Sequence, residues 1–304
     1  MSIQEELLHP SVLAESDRLP HRYGSWFAAI GRFVRREPLG GIGAALFLLM
    51  VLVALFAPLL APHDPLDQQF SLTYHAPGSA AWLGTDKFGR DILSRVIYGA
   101  RISLYVGLLT VVFGTTFGLI VGLFSGYVGG RSDTAIQRVV DSFQAFPTLI
   151  LALAVVAALG ARLNNVVFAL AVVTWPGASR VIRASVLTHK QMVYVESARA
   201  SGCSGARIIV RHILPNVLSV YLIIATAGLG TAILTEASLS FLGAGIPPPT
   251  ASWGTMLNEG ANTAVVYPWI PIFPGIAISL AVFAFNFLGD SLRDYLDPRL
   301  RGGR

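Results

Sequence analysis

Apolar and polar residues alternate along this chain in long blocks rather than short ones. Pro38 to Pro62 runs for 25 residues without a charge, more than the roughly 20 residues a helix needs to cross a bilayer. Further uncharged runs follow at Ile102 to Gly130, Ser142 to Ala161, Leu163 to Ser179, Val217 to Leu242 and about Trp269 to Leu288. Six transmembrane helices and an all-α, polytopic membrane fold are the expectation, because a spanning segment must satisfy its backbone hydrogen bonds internally.

Details inside the runs predict how they pack. Between Ile102 and Gly130, glycines recur at 114, 118, 122, 126 and 130, every fourth residue. Such a ladder leaves one helix face bare, so that a neighbouring backbone can approach. Gly114, Gly118 and Gly122 are the packing candidates, and the last two are expected in the exit loop. Pro147 fits the first turn of its helix, and Pro176 is expected to end or kink the next. The runs on either side of Arg162 to Asn165 should form a hairpin.

Composition agrees with a membrane protein: 54% of residues are hydrophobic, 13% are charged and the mean hydropathy is +0.63, where soluble domains carry about 25% charged residues. The net charge of +5 does not point to nucleic acid, because the basic residues sit between the spans. With the N-terminus inside, the inner segments hold 17 of the 22 Lys and Arg. That bias puts both termini in the cytoplasm. The first apolar run is too long for a signal peptide and should stay as an anchor. The single Cys203 gives neither an internal disulfide nor a cysteine metal cage, and no metal site is expected.

One polar stretch interrupts the apolar second half: Tyr194 to Pro215, YVESARASGCSGARIIVRHILP. Between Asp141 and Glu236 its Glu196 is the only acid, whereas Arg180, Arg183, Lys190, Arg199, Arg207 and Arg211 crowd residues 180–215. By composition this is a basic cytoplasmic loop. The order of residues suggests more. Val195 to Ala200 suits a short helix, Gly202 a left-handed stop, and Ser204 the cap of a second helix ending just before Pro215. The result is a surface knob.

Several chemistries are missing. The two lysines, Lys87 and Lys190, lie in no GxxxxGK[ST] phosphate loop, and neither HExxH nor GxSxG occurs, so no enzyme activity is expected. Glu236, about 19 residues into the fifth span, either lines a translocation path or reaches the interface. A free-standing secondary transporter or channel is the alternative reading, although it would be expected to hold more buried ionisable groups than this. In the outer segment, Asp86 and Arg90 suit an ion pair.

Glu196-Ser197-Ala198, three residues, Gly202, and then Leu214-Pro215 resembles the Glu-Ala-Ala loop of permease subunits in bacterial ABC importers. Ser197 departs from that loop conservatively. His212 stands where it has isoleucine, and RHILPN (Arg211 to Asn216) is similar to the dipeptide, oligopeptide and nickel permeases. WLGTDKFGRDILSRVIYGARISL, FPTLILAL, LTEASLSFLGAG, SWGTMLNEG and NFLGDSLRDYLDPRLR look like the second permease subunit of that branch, so the resemblance covers residues 38 to 301.

It implies a type I importer permease of the inner (cytoplasmic) membrane, with an added span at 38–62 and a five-helix core at 102–290; residue patterning adds an N-terminal tail at 1–37 with a short interfacial helix, an extracytoplasmic segment at 63–101 and a tail at 291–304. The resemblance further implies a heterodimer with a homologous permease subunit, two cytoplasmic ATPase subunits and an extracytoplasmic substrate-binding protein. This chain would bind no cofactor, since ATP and Mg belong to the ATPases. Glu196, Ser197, Ala198, Arg199, Gly202, His212, Leu214 and Pro215 would form the ATPase-coupling site. Dipeptides, longer peptides, nickel chelates, opines and glutathione all remain open as cargo.

Overall fold

The first span opens on Pro38, whose fixed φ and missing N–H suit a first helical turn: α1 is Pro38–Leu55, followed by the short α2, Ala57–Leu60. The computed structural model describes Gly31 and residues 34–296. The expected tail at 1–37, with its short helix at Trp26 to Val34, lies almost wholly outside the described residues, as do Arg299, Arg301 and Arg304. The further helices are α3 Ile92–Val128, α4 Gly130–Gln144, α5 Thr148–Leu159, α6 Leu163–Lys190, α7 Val193–Ala200, α8 Gly205–Ile208, a π segment Ile209–Ile213, α9 Leu214–Phe241, α10 Trp253–Ala261 and α11 Trp269–Leu296. Among the described residues, five helices are long and apolar enough to cross a membrane, or six if the bent pair α4 and α5 is one span.

Four boundaries differ from expectation, each for a local reason. The second helix starts at Ile92 rather than Ile102, because Asp91 caps it: its carboxylate accepts from Ser94 N at 2.8 Å and Ser94 Oγ at 2.6 Å. At ~55 Å this helix outreaches the hydrocarbon core, so Arg95 and Arg101 need not end it. The run Ser142 to Ala161 is not one helix. Pro147 lies outside α5, extended at φ −55° and ψ 129°, and the chain bends by 88° between α4 and α5.

Pro176 neither ends nor breaks its helix, and α6 continues to Lys190. Rings hold that turn, with Phe117 and Phe143 edge-on to Trp175 at 5.3 and 5.4 Å. Pro215 likewise does not end the knob's second helix. The chain stays helical from Gly205 to Phe241, and Leu214 N donates to Ile209 O, a five-residue step. That wider turn accommodates a proline that has no N–H to give to the residue four before it.

The closest seam joins α3 to α6. An added Cβ at Gly114 would stand 3.0 Å from Thr174 Cβ, at Gly118 2.7 Å from both Ala178 Cβ and Trp175 O, and at Gly122 2.6 Å from Ser179 O. Gly126 belongs to this seam too, 2.9 Å from Val186 Cβ, rather than to an exit loop. Only Gly130 leaves the stripe, opening α4 at φ +61°. α9 lies between α3 and α11. α1 meets α11 where Gly43 faces the Ala284 carbonyl, with Phe47 and Phe285 rings 5.2 Å apart just above.

Candidate functional site

Residues 191–217 build the knob at one end of the bundle. Val195 and Ala198 turn inward from α7 and join Ile208, Ile213 and Val217 in an apolar cluster that continues into Leu119, Leu123, Ile182 and Val186 of α3 and α6. Knob and spans therefore share one core. The bend after α7 carries two closing bonds, Gly202 N to Arg199 O at 3.0 Å and Cys203 N to Ala198 O at 3.1 Å, the pattern of a Schellman stop. Gly202 holds φ +76° with open space where a side chain would project. Ser204 then caps α8 by accepting from Arg207 N at 3.4 Å.

Polar contacts lash the knob to the bundle. Lys190 Nζ donates to Tyr127 O at 2.6 Å and stands 5.5 Å from the Tyr127 ring centroid, against which Gly205 packs. Tyr194 OH bonds His189 Nδ1 at 3.0 Å, and burial pushes the Tyr194 phenol up, so it stays protonated. Asn216 Nδ2 donates to the His212 carbonyl at 2.7 Å. Beside the knob, Arg183 grips Asp133 of α4 through Nε at 2.7 Å and Nη2 at 2.5 Å. The Lys190–Tyr127 and Arg183–Asp133 contacts are not visible in local sequence, since they join residues 63 and 50 positions apart.

The outer surface of the knob is unpartnered. Glu196, Ser197, Arg199, Gly202 and Pro215 are exposed, His212 and Leu214 are half-buried, and Ala198 is buried. Glu196 and Arg199 make no ion pair with each other or with any other described residue. Ser197 Oγ is turned back onto Val193 O at 2.9 Å. Met192, Val193 (75% exposed) and Val210 are exposed apolar residues of the knob. The surface offers a rigid apolar ridge, one anion and the cations Arg199, Arg207 and Arg211.

At the opposite end, burial encloses a set of charges that the sequence only half suggests. Arg90 Nε meets Asp86 Oδ2 at 2.6 Å, and Arg90 Nη2 meets Glu259 Oε2 at 2.9 Å. Arg95, 1% exposed, lies 3.3 Å from Glu259 and 3.7 Å from Asp86. The Asp86 to Arg90 pair was expected; Arg95 and Glu259 were not. The available signal was that Glu259 is the only charge between Glu236 and Asp290. These contacts tie the 63–91 segment and α3 to α10, together with Trp253 Nε1, which donates to Val96 O at 2.9 Å. Glu259→Ala should destabilise the protein by about 3 kcal/mol, because it leaves two buried arginines facing one carboxylate. The check is the melting temperature of the detergent-solubilised protein, with Glu259→Gln expected to lose less.

Glu236 lies near this end of α9, 0% exposed, with Oε1 accepting from Ser240 Oγ at 2.7 Å. It sits in the interior of the chain. No group of three or more metal-binding side chains occurs among the described residues.

Residues 118–302 match the family described as binding-protein-dependent transport system inner membrane component. Residues 25–77 match the N-terminal transmembrane domain of oligopeptide transport permease C. The chain is 42% identical over 294 residues to the glutathione transport system permease protein GsiD of Pectobacterium atrosepticum, covering 96% of this chain and 95% of that one. It is 44% identical over 270 residues to a putative peptide transport system permease protein of Brucella suis, covering 89% and 90%. Among solved structures it resembles the inward-facing MetNI methionine ABC transporter with a TM-score of 0.57 at 18% identity, covering 67% of this chain and 96% of that one. That likeness concerns the fold alone.

Proposed function

The chain belongs to the binding-protein-dependent transport system inner membrane components, and from that premise we propose that it carries short peptides inward, tripeptide-sized molecules such as glutathione included, as half of a heterodimeric path. Permeases of this family are multi-pass subunits of ABC importers and work with an ATPase and an extracytoplasmic binding protein. Pairing with a homologous permease rather than a second copy, and with two ATPases, is our reading. It places both termini in the cytoplasm, in keeping with the excess of Lys and Arg on that side.

The observation that carries the reading is the knob: exposed Glu196 with exposed apolar Met192, Val193 and Val210, fixed to the spans through a single apolar core. A groove on an ATPase subunit would receive it. When ATP closes the ATPase pair, the two knobs approach each other, and the attached helices swing the path from inward-facing to outward-facing by rigid-body rocking. Glu196 meets a cation on the ATPase in this scheme, because no cation among the described residues pairs with it. Ser197 and Ala198 keep the contact close, Gly202 forms the bend, and Leu214 and Pro215 begin the rod that leads back into the membrane. His212 stays at the root of the knob.

Affinity purification of the tagged protein in mild detergent tests this directly. A second permease and ATPases should accompany it, and the complex should hydrolyse ATP. Isolation as an active homo-oligomer with no ATPase would overturn the proposal in favour of a free-standing carrier.

A further inference from the structure

The reading of the knob leaves one buried group without a task. Glu236 is a carboxyl in the membrane-embedded part of α9, fully shielded from solvent, and placing such a group there is costly unless its polar atoms have work. Oε1 accepts the Ser240 hydroxyl at 2.7 Å, Oε2 has no partner within hydrogen-bond distance, and the hydroxyl of Ser252, the cap of α10, also acts on the carboxyl. Ser240 is the pivot of this site, because the same hydroxyl oxygen accepts from Ile246 N at 3.3 Å. A chain of contacts thus leads from the α9 carboxyl to the backbone of the loop that precedes α10.

Everything around that chain is tightly fitted. A Cβ on Gly254, in the first turn of α10, would stand 2.7 Å from Ser240 Cβ, and one on Gly245 2.6 Å from the same atom. Asn258 Nδ2 ties α10 to the end of α9 through Phe241 O at 2.6 Å. From α10 the contacts continue outward through Glu259 to Arg90 and Arg95. In the other direction, α9 belongs to the unbroken helical run from Gly205 to Phe241, so Glu236 and the knob occupy the two ends of one rod.

We propose that Glu236 is a positioning residue: through Ser240 it fastens residues 243–261 to the far end of the rod that carries the knob, so that knob movement reaches this cap without loss. The inference rests on the knob being the ATPase-docking element. The carboxyl orients the Ser240 hydroxyl toward itself, which leaves the Ser240 lone pairs for Ile246 N–H. With an apolar residue at 236 the hydroxyl turns elsewhere and the loop loses its anchor. Glutamine keeps a carbonyl oxygen in the same place and preserves the arrangement.

Hydrogen exchange on the purified permease–ATPase complex tests this, with and without trapping by ATP and vanadate. In the wild type, trapping should change exchange across residues 243–261. In Glu236→Ala, exchange there should be about tenfold faster and should no longer respond to trapping, whereas the knob still responds. Glu236→Gln should behave as the wild type. If Glu236→Ala leaves the cap protected and responsive, or if Glu236→Gln fails like alanine, the latch is wrong. A wild-type cap that ignores trapping while the complex hydrolyses ATP overturns the transmission to the cap but not the knob's docking. Absence of co-purifying ATPase would instead sink the docking itself.

Discussion

Gly202→Asp is expected to leave membrane insertion and assembly intact and to uncouple ATP hydrolysis from uptake. Gly202 sits at φ +76° with nothing near its missing side chain, and aspartate is among the few residues that tolerate that backbone region. The bend should therefore survive. What changes is the docking face, where a second carboxylate appears six residues after Glu196 and projects into open space. Loss of ~1.4 kcal/mol in docking is already tenfold in affinity, so ATP-driven uptake in reconstituted vesicles should fall by about that factor or more while the subunits still co-purify. Gly202→Ala, which adds backbone strain but no charge, should show the smaller defect. Normal ATP-stimulated uptake by the aspartate variant would remove the knob from the coupling path.

Gly118→Val should prevent stable folding. Even the first carbon of the new side chain would lie 2.7 Å from the Trp175 carbonyl and 2.9 Å from Ser179 N, which are backbone atoms and cannot swing aside. The α3 and α6 helices would have to separate along the seam that organises the bundle, at a cost of about 3 kcal/mol. The expected readout is a steep fall in detergent-extractable, monodisperse protein. Phe124→Val on the same helix is the control. That side chain is exposed away from the seam, and its shortening should leave the yield unchanged.

The chemistry of the knob was largely legible, because it is written locally. Glycine after a short helix, serine three residues before the next turn's N–H, and one acid among arginines all act within a dozen residues. The membrane spans were legible for a related reason, since hydrocarbon imposes a length and a polarity on each one. Misplaced boundaries occurred where a rule about single residues met packing. Pro176 and Pro215 are both accommodated inside helices, the first by aromatic neighbours and the second by a π turn. Arg95 belongs to the polar stretch 63–101, yet it is buried among Asp86, Arg90 and Glu259.

By itself, the sequence determined that this is an all-helical membrane protein of the permease family, and that residues 194–215 break its apolar second half with a polar loop. Those properties follow from hydropathy, spacing and short-range backbone chemistry. Only the tertiary structure decided that Gly126 belongs to the α3–α6 seam, that Glu236 is shut inside the chain beside Ser240, and that Glu259 answers Arg90 and Arg95 across more than 160 residues. Burial and pairing over such separations depend on which helix faces meet. Hydropathy along one chain carries no record of that.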